Sequence, residues 1–165
     1  MIKGYKAFHK DMKNRYGMEF IEGKSYSVDG EISFGNKGNG FHFCKRLEDT
    51  LRYVPAMEEE IEIAEITGFG DIVERVDEYY GYYDLYASRN IRIDKILTRD
   101  EIIAMFLNEE SERVIRFISG YRLNPEEIEL FKIMYSDDKR VLKALSYYQE
   151  NKKDVYNIKQ KVKDK

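Results

Sequence analysis

The chain has 165 residues, 42% apolar and 14% aromatic, with a net charge of −3. That is one domain, or one domain with a modest appendage, with material for a real core and a composition neither disordered nor fibrous. The acidic balance counts against broad charge-driven nucleic-acid binding, no apolar run reaches the roughly eighteen residues of a transmembrane helix, and a lone Cys44 excludes an internal disulfide.

In chain order, Gly4-Tyr5-Lys6-Ala7-Phe8-His9 reads as a first strand and Lys10 to Gly17 as a polar stretch ending in a turn. Met18 to Ile21 and Gly23 to Val28 are short strand candidates. Asp29-Gly30 signals a hairpin turn into a further strand, Glu31 to Phe34. Gly35 to Gly40 is a Gly/Asn-rich loop, mobile or ligand-facing.

The central stretch follows. Phe41 and Phe43 share one face of a short strand, with His42 and Cys44 on the other. Leu47, Thr50, Leu51 and Val54 then fall at helical spacing until Pro55 stops the helix. Glu58 to Ile66 is a strand with a bulge or with both faces buried, Gly68 to Asp71 a turn, and Ile72 to Val76 a weak strand. Residues 79–86 carry five tyrosines in eight positions. They form either a stacking platform or amphipathic rings folded over the core edge. Leu85 to Ile96 is the longest strand, with Leu85, Ala87, Ile91 and Ile93 on one face and Arg89 at a rim or in a paired niche.

From Thr98 onward the signals are helical. Thr98-Arg99-Asp100-Glu101 is a capping box and Asn124-Pro125-Glu126-Glu127 a strong helix start. Val114, Phe117, Ile118 and Tyr121 make one apolar stripe; Ile128, Phe131 and Tyr135 make the next. Asp137 or Asp138 caps a last helix with Val141, Leu142, Leu145 and Tyr148. The expected fold is α+β: a small, mostly antiparallel twisted sheet with one helix after the central strand, plus a C-terminal α-helical subdomain. The boundary falls between residues 1–97 and 98–165, with the helices docked on the sheet because no Pro/Gly linker intervenes.

The candidate chemistry is sparse. His42 and Cys44 with His9 do not make a closed metal set, and no Cys-x-x-Cys helps, so no metal is expected. Cys44 lies about 6–7 Å along the strand from His42, too far for direct proton transfer. The loop from Gly35 to Gly40 lacks the Gly-Lys-Ser/Thr of a phosphate loop. The basic tail from Lys152 is expected to be a solvated helix end. The first residues lack the apolar core of a signal peptide, which with the single cysteine points to a cytoplasmic protein.

Two resemblances rest on these motifs. Tyr5-Lys6-Ala7-Phe8, Gly23-Lys24-x-Tyr26, Gly40-Phe41-His42-Phe43-Cys44 and Ala87-x-x-x-Ile91-x-Ile93 together resemble a small uncharacterised domain of phage and bacterial proteins. Gly38-x-Gly40-Phe41-His42-Phe43-Cys44, a helix and Tyr53 are similar to the strand–helix core of ADP-ribosyltransferases of the poly(ADP-ribose) polymerase type. That second resemblance implies NAD as cofactor, His42 as the stacking residue, Tyr53 and Lys6 as further catalytic residues, and Gly38, Gly40 and Phe41 as ligand-binding residues. The first strand has no His-Gly pair, and neither Glu78 nor Asp84 is fixed as the catalytic carboxylate.

Three functions therefore stand open. The first is a phage or mobile-element binding module that recognises a host protein through Tyr79, Tyr80, Tyr82 and Tyr83, since tyrosine is enriched at interfaces. The second is an NAD-dependent ADP-ribosyltransferase-like enzyme. The third, ranked last, binds single-stranded nucleic acid.

Overall fold

The computed structural model describes residues 1–34, 38–76 and 84–151. Two compact units emerge: Met1–Val54 with Glu59–Leu97, and Pro55–Glu58 with the chain from Thr98 onward. The fold is α+β.

The first unit is a five-stranded antiparallel sheet built from β1 (Ile2–His9), β2 (Ser25–Ser27), β3 (Phe41–Cys44), β4 (Ile61–Val76) and β5 (Asp84–Ile96). The strand order is β2-β5-β3-β1-β4, and β4 also pairs with β5. Four strands therefore form a closed circuit, β5 to β3 to β1 to β4 and back. Three walls of this ring are long, but β1 and β3 meet at one residue pair, Tyr5 with Cys44. That wall is a seam.

The ring is filled by aromatic side chains. Phe8, Phe20, Phe41, Phe43 and Tyr86 join Ile66, Ile91 and Ile93 in one buried cluster. Phe43 stacks on Tyr86 with centroids 5.5 Å apart. Its ring lies against two glycines: a Cβ on Gly68 would come within 2.5 Å of Phe43, and one on Gly4 within 2.9 Å. These positions are glycine because the ring occupies their side-chain space. On the opposite face of β3, Cys44 is buried.

Several sequence expectations need correction here. Met18 to Ile21 and Glu31 to Phe34 are not strands; the first holds a single bridge, Lys13 with Glu19. Asp29-Gly30 does not close a hairpin, because no strand follows it in Glu31 to Phe34; among the described residues β2 is an edge strand that pairs with β5 alone. The Asn39 side chain instead donates to the carbonyls of Asp29 and Glu31 and holds the loop. Gly68 to Asp71 is no turn. β4 runs straight through it, with a register shift between Phe69 and Ile72 and Gly70 at φ 81°. The bulge expected near Ala64 is present as a second shift between Glu65 and Ile66. The helix after β3, α1 (Leu47–Thr50), has only four residues. Pro55 disfavours helical geometry at Val54 and denies the carbonyl of Leu51 a helical partner.

The second unit contains α2 (Arg99–Phe106), α3 (Ser111–Gly120), α4 (Pro125–Met134), α5 (Lys139–Leu145) and a π-helical turn, Ser146–Glu150. Both arms of the capping box form at Thr98 and Glu101, and again at Asn124 and Glu127. Asp138 caps α5 through the amides of Arg140 and Val141. The stripes Val114, Phe117, Ile118, Tyr121 and Ile128, Phe131 are buried as their spacing predicts. Phe106 stacks on Phe117 at 4.0 Å, and the Tyr135 hydroxyl donates to the Phe106 carbonyl at 2.6 Å.

Candidate functional site

The seam between β1 and β3 is where unusual chemistry collects. Beyond the Tyr5–Cys44 pair the two strands part, and Lys6 bridges the gap. Its Nζ donates to the backbone carbonyl of His42 at 2.6 Å and lies 5.6 Å from the centre of the Phe8 ring. His42 is half-buried and stacks on Phe34 at 5.3 Å and 27°. Its Nε2 is buried with no hydrogen-bond partner among the described residues.

Burial dominates the electrostatics. It pulls the Lys6 ammonium down to about 8, with the Cys44 thiol opposing the shift and the Arg15 guanidinium adding to it. Burial also lowers the His42 imidazole, helped by the cations of Lys6 and Arg15 and opposed by a hydrogen bond to the Ser33 backbone. No carboxylate figures in either balance. Groups perturbed by burial and neighbouring charge cluster at functional sites, although structural networks shift them as well.

The cost can be measured. An unfolded chain holds the Lys6 proton up to about 10.5, the folded chain only to about 8, so the unfolded state binds more protons between these values. Stability from this group therefore rises with pH across that window, and below it the full penalty applies. Lys6→Met is expected to stabilise the β-rich unit at pH 7 by roughly 1–2 kcal/mol, allowing for partial hydration and the lost bond to His42. Urea denaturation at pH 7 and pH 10 checks this: the gain should shrink at the higher pH, and a destabilised variant at pH 7 would refute the assignment.

The expected site residues separate into groups. Lys6 and His42 are in contact. Tyr53 follows α1 at 59% exposure, its amide bonded to the Thr50 carbonyl at 3.1 Å. Gly38 lies in the half-buried approach to β3. Gly40 has φ 114°, and a Cβ there would sit 3.0 Å from Ile32 and 3.2 Å from the Ser88 carbonyl, so its smallness serves packing. Phe41 is in the core. Tyr79, Tyr80, Tyr82, Tyr83 and Glu78 lie outside the described residues, as does the tail from Lys152; Asp84 opens β5. His9 pairs with Glu59 at 2.9 Å, and Arg89 fills a paired niche with Asp71. Among the described residues no group of three or more His, Cys, Asp or Glu side chains could hold a metal ion.

Sequence reasoning missed Arg15 and Phe34. Arg15 lies in a polar stretch with no pattern, and the spacing that assigns Phe34 to a strand is misleading because that strand does not form.

Comparison with protein families gives a match over the β-rich unit. The model described as a domain of unknown function, DUF7666, matches residues 2–105. The chain belongs to that family. The DUF7666 match takes in every strand of the β-rich unit and thus Lys6, Arg15, Phe34 and His42, and ends inside α2. The helices α3 to α5 lie outside it. No curated protein and no solved structure matches the chain.

Proposed function

We propose that the chain is a protein-binding module whose contact surface is the outer face of α4. The observation that supports this is an exposed apolar stripe. Leu130, Ile133 and Met134 stand at i, i+3 and i+4 on one helix face and are 38%, 70% and 50% exposed, while Ile128 and Phe131 on the other face are buried. Scattered surface apolar residues need no explanation, but three aligned on one helix do.

Charge supplies the partner's chemistry. Glu126 and Glu129 precede the stripe on the same face and Asp137 follows it, all exposed. Two of the nearby cations are occupied: Lys132 bonds Glu129 at 2.9 Å and Glu150 at 2.5 Å, and Arg140 bonds Glu112 at 2.5 Å, while Lys139 stands exposed beyond the stripe. An open depression of about 520 Å³, lined by residues 134–140, adjoins Met134 and gives room for a side chain. The surface suits an amphipathic helix with an apolar stripe flanked by lysine or arginine, laid along α4. In the reading that the phage-type resemblance suggests, that helix belongs to a host protein. No helix among the described residues is long and apolar enough to cross a membrane.

A synthetic Leu/Lys amphipathic helix of about 20 residues, some 30 Å long, can test this by fluorescence anisotropy. It should bind, while a scrambled peptide of equal charge should not. Ile133→Asp should weaken binding at least about tenfold, or about 1.4 kcal/mol, and leave the melting temperature nearly unchanged. Equal binding of both peptides would reduce the effect to charge and end this reading.

A further inference from the structure

The chemistry that the α4 surface asks of a partner recurs within this chain. Residues 152–165, which lie outside the described residues, carry six lysines against Asp154 and Asp164. Val155, Ile158 and Val162 fall among them at i, i+3 and i+7, the spacing of one helix face. Of the chain's 28 bases and 31 acids this segment holds six and two, so the remainder is strongly acidic. The described chain also ends beside α4. Glu150 meets Lys132 at 2.5 Å, and Lys132 bonds Glu129 at 2.9 Å. Glu129 stands one turn before Ile133 on the same flank of the helix. Val155 follows Glu150 by five residues, a reach of up to about 17 Å.

We propose that residues 152–165 dock on the α4 stripe of the same chain and cover it until a stronger amphipathic helix displaces them. This rests on the reading of α4 as a docking surface and names its occupant when no partner is bound. As a helix the segment is about 21 Å long, enough to span Leu130 to Met134 and both acidic flanks. Val155, Ile158 and Val162 meet the apolar stripe, and the lysines meet Glu126, Glu129 and Asp137, which are exposed. Apolar burial supplies the attraction, and the charges set the orientation. Tethering then decides the balance. A short flexible tether gives an effective concentration of millimolar order. A tail that would bind at about 0.1 mM as a free peptide is therefore docked about ten to one, and it weakens a competing helix about tenfold. A partner whose apolar stripe is longer than the tail's three residues overcomes that factor. A short basic peptide does not.

The experiment uses the full chain in two measurements. In the first, Lys163→Cys carries a nitroxide label, while the native Cys44 is buried and stays unlabelled. The NMR methyl signals of Leu130, Ile133 and Met134 should broaden relative to the reduced label, equally at low and high protein concentration. Adding Ile158→Ser and Val162→Ser, which leave every lysine in place, should restore those signals. In the second, the synthetic Leu/Lys helix should bind the Ile158→Ser/Val162→Ser chain at least about tenfold more tightly than wild type by fluorescence anisotropy. Ile133→Asp should remove that difference. Methyl signals that stay sharp, or equal affinities for wild type and the serine variant, would overturn the tail as occupant while the α4 reading stands. Broadening that vanishes on dilution and returns between differently labelled chains would assign the surface to a second copy's tail and end the contact within the chain. A helix that binds neither protein would end the α4 reading, and this proposal with it.

Discussion

Gly68→Ala is expected to destabilise the β-rich unit by about 3 kcal/mol, at the upper end of overpacking effects, although it adds a single methyl group. The added carbon would sit 2.5 and 2.6 Å from two ring carbons of Phe43 and 3.0 Å from the Ser88 hydroxyl. Phe43 cannot move aside. It stacks on Tyr86 at 5.5 Å, and it also lies against Gly4, where a methyl group would meet Phe43 at 2.9 Å and the Cys44 carbonyl at 2.4 Å. The strain must pass into β4 or into the ring itself, and close-packed cores yield little.

The pair can be tested as a cycle. Phe43→Leu alone should cost about 1–3 kcal/mol through the volume it leaves. In the Gly68→Ala background the smaller side chain should recover part of the loss, giving a coupling of at least about 1 kcal/mol. Urea denaturation of the four proteins supplies the numbers. A cost below about 1 kcal/mol for Gly68→Ala, or strict additivity, would mean that Phe43 does not occupy the space between the two glycines.

The same residues show which features a sequence can reveal. The helical unit was legible because its signals are local. Thr98 and Glu101, or Asn124 and Glu127, recognise each other within one turn, and both boxes form as their spacing predicts. The sheet was legible only in part, since pairing is decided between distant residues. Gly68 to Asp71 looks like a turn, yet glycine serves a bulge, a close approach and a turn equally well, and here β1 and β5 hold β4 continuous through it. Asp29-Gly30 failed for a related reason: among the described residues β2 is an edge strand paired with β5 alone, and Glu31 to Phe34 forms no strand after the turn to take its free side.

His42 was visible as a lone histidine on an aromatic strand. Its significance was not, because the contact with Lys6 spans 36 residues and exists only where two strands part. Arg15 carried no signal at all. Charge that converges across a sheet leaves no trace in spacing.

Gln149→Leu should unfold much of the helical unit at a cost of about 3 kcal/mol, because a buried amide there satisfies three backbone groups at once. Its Oε1 accepts from the Leu123 amide at 3.0 Å, and its Nε2 donates to the carbonyls of Ile118 and Tyr121 at 2.6 and 2.8 Å. Those carbonyls lie at the C-terminal end of α3, where the last carbonyls of any helix have no intrahelical donors. Gln149 is 4% exposed, so water cannot replace it. Leucine matches its size and none of its hydrogen bonds, which isolates the polar contribution from packing. Hydrogen exchange on the amides of α3 to α5 gives the measurement, with protection expected to fall about a hundredfold or more, the equivalent of about 3 kcal/mol. Gln149→Glu adds a sign test. The carboxylate can accept from Leu123 but faces two carbonyls unless it is protonated, so its folded pKa must rise above the unfolded value near 4.3. Below that unfolded value the variant should regain stability, and it should lose it again as pH rises through the higher folded value. Protection unchanged in Gln149→Leu, with no pH dependence in Gln149→Glu, would show that α3 ends without help from the π-helical turn.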